Sequence, residues 1–191
     1  AKKFLIIFFL IIILFDNSNK SYSSEISFDD YGIISIMYHR FEENKYPSTN
    51  IRLKDFKNHI KIIKNEKINF VNPSNFEKSL ISSKSSRKIL LTIDDGYLSF
   101  YKNAWPILKK EKIPFILFIS TKEVGNNNYM DWDQIREISR SKIVEIGNHS
   151  HTHEYLVDLK KEDIRADMNK SIEIFKKELG KNSIFFSYPF G

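Results

Sequence analysis

The chain has 191 residues, of which 41% are apolar, a formal charge of +6 and no cysteine. That is enough apolar chain for one continuous core, and the absence of thiols excludes disulfides, thiolate ligands and cysteine nucleophiles, so any metal must be held by His, Asp or Glu. Lysines are mixed with Asp and Glu along the chain, which points to a solvated surface and away from a nucleic-acid stripe.

Lys2-Lys3 precede an unbroken apolar run, Phe4 to Phe15, and the polar stretch Asp16-Asn17-Ser18-Asn19-Lys20 follows. Basic, then apolar, then polar is the order of a secretory signal peptide. The run is too short to cross about 30 Å of hydrocarbon as a helix. Ser21-Tyr22-Ser23 offers small residues for cleavage, and an uncleaved membrane anchor is the alternative. Residues 1–23 are read as signal peptide or anchor and 24–191 as one domain. The expected location is periplasmic, extracellular or membrane-anchored at the envelope.

Ile33 to Tyr38 reads as a buried strand. Leu53, Phe56, Ile60 and Ile63 recur at helical spacing. Ile68 to Val71 is a second strand, with a short helix from about Ser74 to Ile81. Ile89 to Ile93 is a third strand, ending at Asp94-Asp95-Gly96. A helix through Trp105 to Lys110 is bent or restarted at Pro106, which lacks an amide donor. Phe115 to Ile119 is a fourth strand, and Asp131 with Gln134 forms a capping-box pair opening a helix through Ile138. Ile143 to Ile146 is a fifth strand, ending at Gly147-Asn148-His149. Ile164, Met168, Ile172, Phe175 and Leu179 mark a long helix stopped by Gly180. Ile184 to Phe186 is a last strand, leading into Ser187-Tyr188-Pro189-Phe190-Gly191. Strands joined by helices predict an α/β parallel sheet, as a barrel or doubly wound, and no internal repeat suggests a solenoid.

The Asp pair, the His cluster and the Pro-Phe-Gly turn each follow a strand, and in parallel α/β folds such loops gather on one face. Adjacent carboxylates can divide two tasks, one ligating a metal and the other serving as a base toward water. His149-Ser150-His151-Thr152-His153 packs three of the chain's five histidines into five positions. His149 and His153, at i and i+4, would point to the same side on one helical turn, with His151 facing elsewhere. Two His and one carboxylate leave open positions, as hydrolytic metal sites require. Zinc is the default divalent metal, and Co, Ni or Fe would fit similar ligands.

Thr92-Ile93-Asp94-Asp95-Gly96, His149-Ser150-His151-Thr152-His153 and Pro189-Phe190-Gly191, in that order, resemble the motifs of polysaccharide deacetylases of carbohydrate esterase family 4, the NodB homology domain. Met37-Tyr38-His39 and Tyr46-Pro47-Ser48 resemble its exopolysaccharide branch. The resemblance implies a distorted (β/α) barrel, incomplete at its C-terminus, with an expected histidine acid beyond Gly191. It implies Asp95, His149 and His153 as metal ligands, Asp94 as general base and the Phe190 N–H as oxyanion donor. The implied reaction is hydrolysis of N-acetyl groups on an extracytoplasmic N-acetylhexosamine polysaccharide by metal-activated water. Ser187 stands where the family carries an arginine that orients the base.

His39, Tyr97 and Pro189 are candidate substrate contacts, with a hydrogen-bonded loop histidine the alternative for His39. His59, Trp105 and Trp132 are read as structural. The rival functions are an O-acetyl polysaccharide esterase and a non-catalytic glycan-binding module that keeps the metal site. The polysaccharide is the expected partner, at the envelope, with no nucleic acid.

Overall fold

The computed structural model describes residues 32–81 and 87–191. The leader therefore lies outside the described residues, as does the start of the domain. None of the described helices is long and apolar enough to cross a membrane.

The described elements in chain order are β1 (Ile34–Tyr38), β2 (Arg40–Phe41), β3 (Asn50–Ile51), α1 (Leu53–Asn65), β4 (Asn69–Phe70), α2 (Phe76–Ile81), β5 (Lys88–Ile93), α3 (Trp105–Glu111), β6 (Phe115–Ile119), α4 (Trp132–Ser139), β7 (Val144–Asn148) and α5 (Lys161–Leu179). The main sheet runs β1-β5-β6-β7, with β4 beside the start of β5, and every pairing is parallel. The expected α/β parallel fold is present, and among the described residues the sheet is an open path. β2 and β3 form a separate parallel pair that the apolar pattern did not reveal.

β5 and β6 lie in the middle of the sheet, and their near-continuous apolar sequences, buried on both faces, suit that place. β1 differs from expectation. It pairs only with β5 among the described residues, and this edge position leaves Ile34 and Met37 more than half exposed. The core beneath is aromatic. Phe41 packs edge-on to Phe56 at 5.0 Å, and Phe100 edge-on to Phe115 at 5.4 Å. α1 buries Phe56, Ile60 and Ile63 as their spacing predicts.

Pro106 restarts a helix. Residues Phe100–Ala104 wind as a π-helix, and α3 begins at Trp105 with the proline in its first turn, where no amide is needed. The capping box on α4 is present in both directions, Gln134 N–H to Asp131 and Asp131 N–H to Gln134. The helix expected from Ser74 is divided into a 3-10 turn, Pro73–Asn75, and α2. The last strand shrinks to one parallel bridge, Asn148 to Phe186, and Ile184 is 81% exposed.

α5 departs most from its apolar pattern. Its buried residues are Asp167, Ser171 and Phe175, whereas Ile172 is exposed. The i, i+4, i+8 stripe facing the sheet is thus polar for its first two positions. The reason lies in the site.

Candidate metal centre

β5 ends at Ile93, and the chain turns sharply through Asp95 (φ 71°) and Gly96 (φ 75°). The Asp94 N–H continues the ladder by donating to the Tyr38 carbonyl at 2.8 Å, which fixes where the pair leaves the sheet. Both carboxylates are buried. β7 ends at Asn148, and the His149 N–H donates to the Ile119 carbonyl at 3.0 Å, tying the histidine loop to the end of β6. The two clusters thereby meet at one end of the sheet.

Asp95 Oδ1 lies 3.0 Å from His153 Nε2 and 3.4 Å from His149 Nε2. The expected helical turn is absent. Residues 149–153 form a loop with left-handed backbone at Ser150 (φ 66°) and His153 (φ 58°), and this reversal brings the two imidazoles together, 4.9 Å between centroids. His151 faces elsewhere, bonding Thr121 Oγ1 through Nδ1 at 2.8 Å.

His149 Nδ1 donates to the Ser187 carbonyl at 2.8 Å, a bond that turns Nε2 toward Asp95. Burial disfavours the His149 imidazolium, but the Asp95 contact, the Ser187 carbonyl and the Asp94 charge outweigh it and hold the pKa above the ordinary value. Burial likewise opposes ionisation of Asp95, yet the two imidazoles keep its carboxyl well below the usual range. Asp95 Oδ1 is nevertheless buried with no well-formed hydrogen bond. One carboxylate oxygen and two imidazole nitrogens converge within 4.8 Å of one another, a donor set that suits a divalent cation.

Asp94 is placed differently. Burial and the Asp95 charge raise its pKa, against the opposing effects of His149, His39 and the Ser187 hydroxyl. Ser187 Oγ donates to Oδ2 at 3.4 Å, and Oδ1 is buried without a partner. His39 directly follows β1, and because Tyr38 pairs with Ile93, it leaves the sheet at the same end as Asp94.

The other expected residues vary. Phe190 (φ 68°) is 70% exposed and packs edge-on to His153 at 4.9 Å and to Tyr155 at 5.7 Å. Pro189 is buried beneath the turn that Gly191 N–H closes onto the Tyr188 carbonyl, so it shapes the loop and offers no open face to a substrate. The buried Tyr97 ring has the Arg40 guanidinium 3.5 Å from its centroid and the Tyr129 ring 4.8 Å away. It serves as a wall beside Asp95, without a free stacking face. His59 bonds the Tyr38 hydroxyl at 2.9 Å, Trp105 packs on Phe115, and Trp132 packs on Phe175. All three are structural, as read from the sequence.

The sequence reading missed the brace behind the loop. Asp167 on α5 accepts from the His151 N–H at 2.7 Å, the Thr152 N–H at 2.8 Å and the Thr152 hydroxyl at 2.6 Å. Ser171, one turn on, accepts from Asn148 Nδ2 at 2.8 Å. Ser120 Oγ donates to the His149 carbonyl at 2.7 Å. Asp167 and Ser171 share a stripe with Phe175, and polar residues at core-facing positions were the available signal.

Comparison with known proteins agrees with this geometry. The family described as polysaccharide deacetylase matches residues 82–191. The chain is 27% identical over 158 residues to "Putative polysaccharide deacetylase YxkH" of Bacillus subtilis, covering 82% of this chain and 56% of that protein. It is 24% identical over 203 aligned positions to poly-beta-1,6-N-acetyl-D-glucosamine N-deacetylase of Staphylococcus aureus, covering 92% and 70%. The chain thus spans little more than half the length of the first of these relatives. Among solved structures, IcaB from Ammonifex degensii superposes with a TM-score of 0.77 at 27% identity, covering 84% of this chain and 75% of that one. The Streptococcus pyogenes deacetylase PplD, in complex with acetate, shares the fold with a TM-score of 0.72 at 23% identity, covering 83% and 74%. From its matched residues and their arrangement, this chain belongs to the polysaccharide deacetylase family.

Proposed function

We propose that this protein hydrolyses N-acetyl groups of an extracytoplasmic N-acetylhexosamine polysaccharide, with a poly-N-acetylglucosamine-like exopolysaccharide as its first substrate. The observation that carries this reading is the division of labour between the two aspartates. Asp95 faces both imidazoles, while Asp94 beside it keeps a buried oxygen free. Support for the substrate comes from the relative in Staphylococcus aureus, whose name specifies poly-beta-1,6-N-acetyl-D-glucosamine.

Asp95, His149 and His153 would hold the divalent cation. When bound, it supplies Lewis acidity that polarises the amide carbonyl and lowers the pKa of water. Zinc is the first choice for this donor set. Asp94 Oδ1 acts as the base that takes the proton from the attacking water. Burial raises its basicity, and the Ser187 hydroxyl orients it and weakly favours its ionised form. The Phe190 N–H donates to the oxyanion, and its exposed ring, packed edge-on to His153, flanks the acetamide. His39 contacts the sugar from the end of β1. Acetate and a free amine are the products. The apolar run Phe4 to Phe15 supports export, cleaved or anchored.

The non-catalytic reading drew on the replacement of arginine by Ser187, but that residue itself contacts Asp94. The test assays amine release from β-1,6-N-acetylglucosamine oligomers and acetate release from acetylated xylan. The proposal expects the first, together with its loss in Asp94→Asn at unchanged metal content. Acetate release from xylan alone would move the assignment to an esterase. No activity on either, with metal bound, would move it to a binding module.

A further inference from the structure

Beside the metal ligands lies a cavity of about 200 Å³, walled by Asp95 and His153 on one side and by Tyr97, Tyr129 and Glu123 on the other. Neither Lys nor Arg lines it. Asp95 aside, Glu123 is the one carboxylate in its wall, and its Oε2 accepts a 3.2 Å hydrogen bond from Asn126 Nδ2. The other carboxylate oxygen therefore remains available to a ligand.

The backbone holds this carboxylate in register with the metal loop. The Thr121 N–H donates to the Ser150 carbonyl at 3.3 Å, and the Lys122 N–H to the His151 carbonyl at 3.0 Å. The Glu123 N–H then closes a turn onto the Ser120 carbonyl at 3.1 Å. Segment 120–123 is stitched to the loop that carries His149 and His153, so Glu123 keeps its place relative to the reacting centre. Tyr97 and Tyr129 form one wall, their rings 4.8 Å apart, and the Arg40 guanidinium packs on the Tyr97 ring 3.5 Å from its centroid. The cavity therefore presents phenol groups and, apart from the metal ligand Asp95, the single carboxylate of Glu123 as acceptor for a positive charge carried by a sugar ring.

We propose that Glu123 makes this cavity a subsite for a hexosamine residue whose amine is already free, so that the chain prefers partly deacetylated polymer. The inference rests on the proposed deacetylation, because that reaction is what creates such residues. Each turnover exchanges a neutral acetamide for an amine that takes up a proton near and below neutral pH. A charge-assisted bond from ammonium to carboxylate is roughly twice as strong as the neutral bond an acetamide N–H can make. In a partly open cavity this difference corresponds to about threefold to tenfold in affinity.

The test is calorimetric titration of the zinc-loaded protein in an Asp94→Asn background, where neither ligand is consumed. The ligands are a β-1,6-glucosamine oligomer and its fully N-acetylated counterpart. The glucosamine oligomer is expected to bind about threefold to tenfold more tightly at low salt, and 0.5 M salt (on the order of a 4 Å Debye length) should erase the preference. Glu123→Gln should abolish the preference at low salt with zinc content unchanged. Equal weakening of both ligands in Glu123→Gln, or a preference that survives the substitution, would overturn the subsite. Because the titration reads binding without turnover, a failure of the proposed hydrolysis would appear separately, as an inactive parent whose glucosamine preference still depends on Glu123.

Discussion

The hydroxyl of Ser187 donates to Asp94 Oδ2 at 3.4 Å, from a position two residues before the Pro189-Phe190-Gly191 turn. A neutral donor at that distance favours the carboxylate weakly, by about 0.5–1 kcal/mol. Removing it should let burial raise the Asp94 pKa further. Because the ionised form is the base, activity falls as pH drops through that pKa. Ser187→Ala should therefore move the acidic limb of the kcat/KM profile upward by roughly half a pH unit. An unmoved limb would show that the hydroxyl does not tune Asp94.

The three central histidines should separate cleanly in a metal assay. His149 and His153 point Nε2 at Asp95, whereas His151 bonds Thr121. His149→Ala and His153→Ala should each lower zinc affinity by more than the roughly 10–100-fold typical of outer-shell changes. His151→Ala should lose no more than that range. Elemental analysis after dialysis against a competing chelator reads the difference, and the reverse order would refute the ligand assignment.

The four central residues were legible because each cluster directly follows a strand, and parallel strands deliver their C-terminal loops to one face. The helical spacing of His149 and His153 gave the right pair for a wrong local reason. Left-handed backbone at Ser150 and His153, and not a helical turn, brings the rings together. Asp167 was not legible because the apolar residues of α5 suggested a different buried stripe. What turns Asp167 inward is hydrogen bonding to a loop 15 and 16 residues earlier, which local periodicity does not encode. The Pro106 restart and the Asp131 cap were legible because their causes are local.

Proton competition at His149 gives a pH signature for metal binding. Its pKa is raised above the ordinary 6.5 in the metal-free protein, and the proton on Nε2 must leave before a cation can bind there. Zinc affinity should therefore begin to fall, as pH is lowered, at a pH above 6.5. Dissociation constants across pH 6 to 8, on the order of the usual histidine range, check this. Affinity flat down to pH 6 would show that His149 holds no extra proton.

Asp167 is the brace whose loss should affect both stability and metal binding. Asp167→Ala leaves the His151 and Thr152 N–H groups without their buried acceptor, costing about 3 kcal/mol in total. For a domain of this size that lowers Tm by about 6–12 °C. Zinc affinity should fall roughly 10–100-fold, because the loop between two ligands loses its support. Asp167→Asn keeps one acceptor and should fall between the alanine variant and the parent in both measurements. A full Tm loss in the alanine variant with unchanged zinc affinity would restrict Asp167 to stability.

Gly147 tests how strictly the sheet places the histidine loop. It pairs with Phe118 across the β6–β7 ladder, and a Cβ added there would lie 2.2 Å from one carbon of the Phe118 ring. That overlap requires Phe118 to move, yet the ring is buried, 6.3 Å from the His149 imidazole. Gly147→Ala should cost about 1–3 kcal/mol in denaturant unfolding, as overpacked cores do. It should also weaken zinc binding, since the displaced ring lies beside a ligand. Adding Phe118→Leu should recover part of both losses, giving a favourable coupling in the double-mutant cycle. Strict additivity would mean that the alanine is accommodated by backbone movement and that Phe118 does not set the approach of β7.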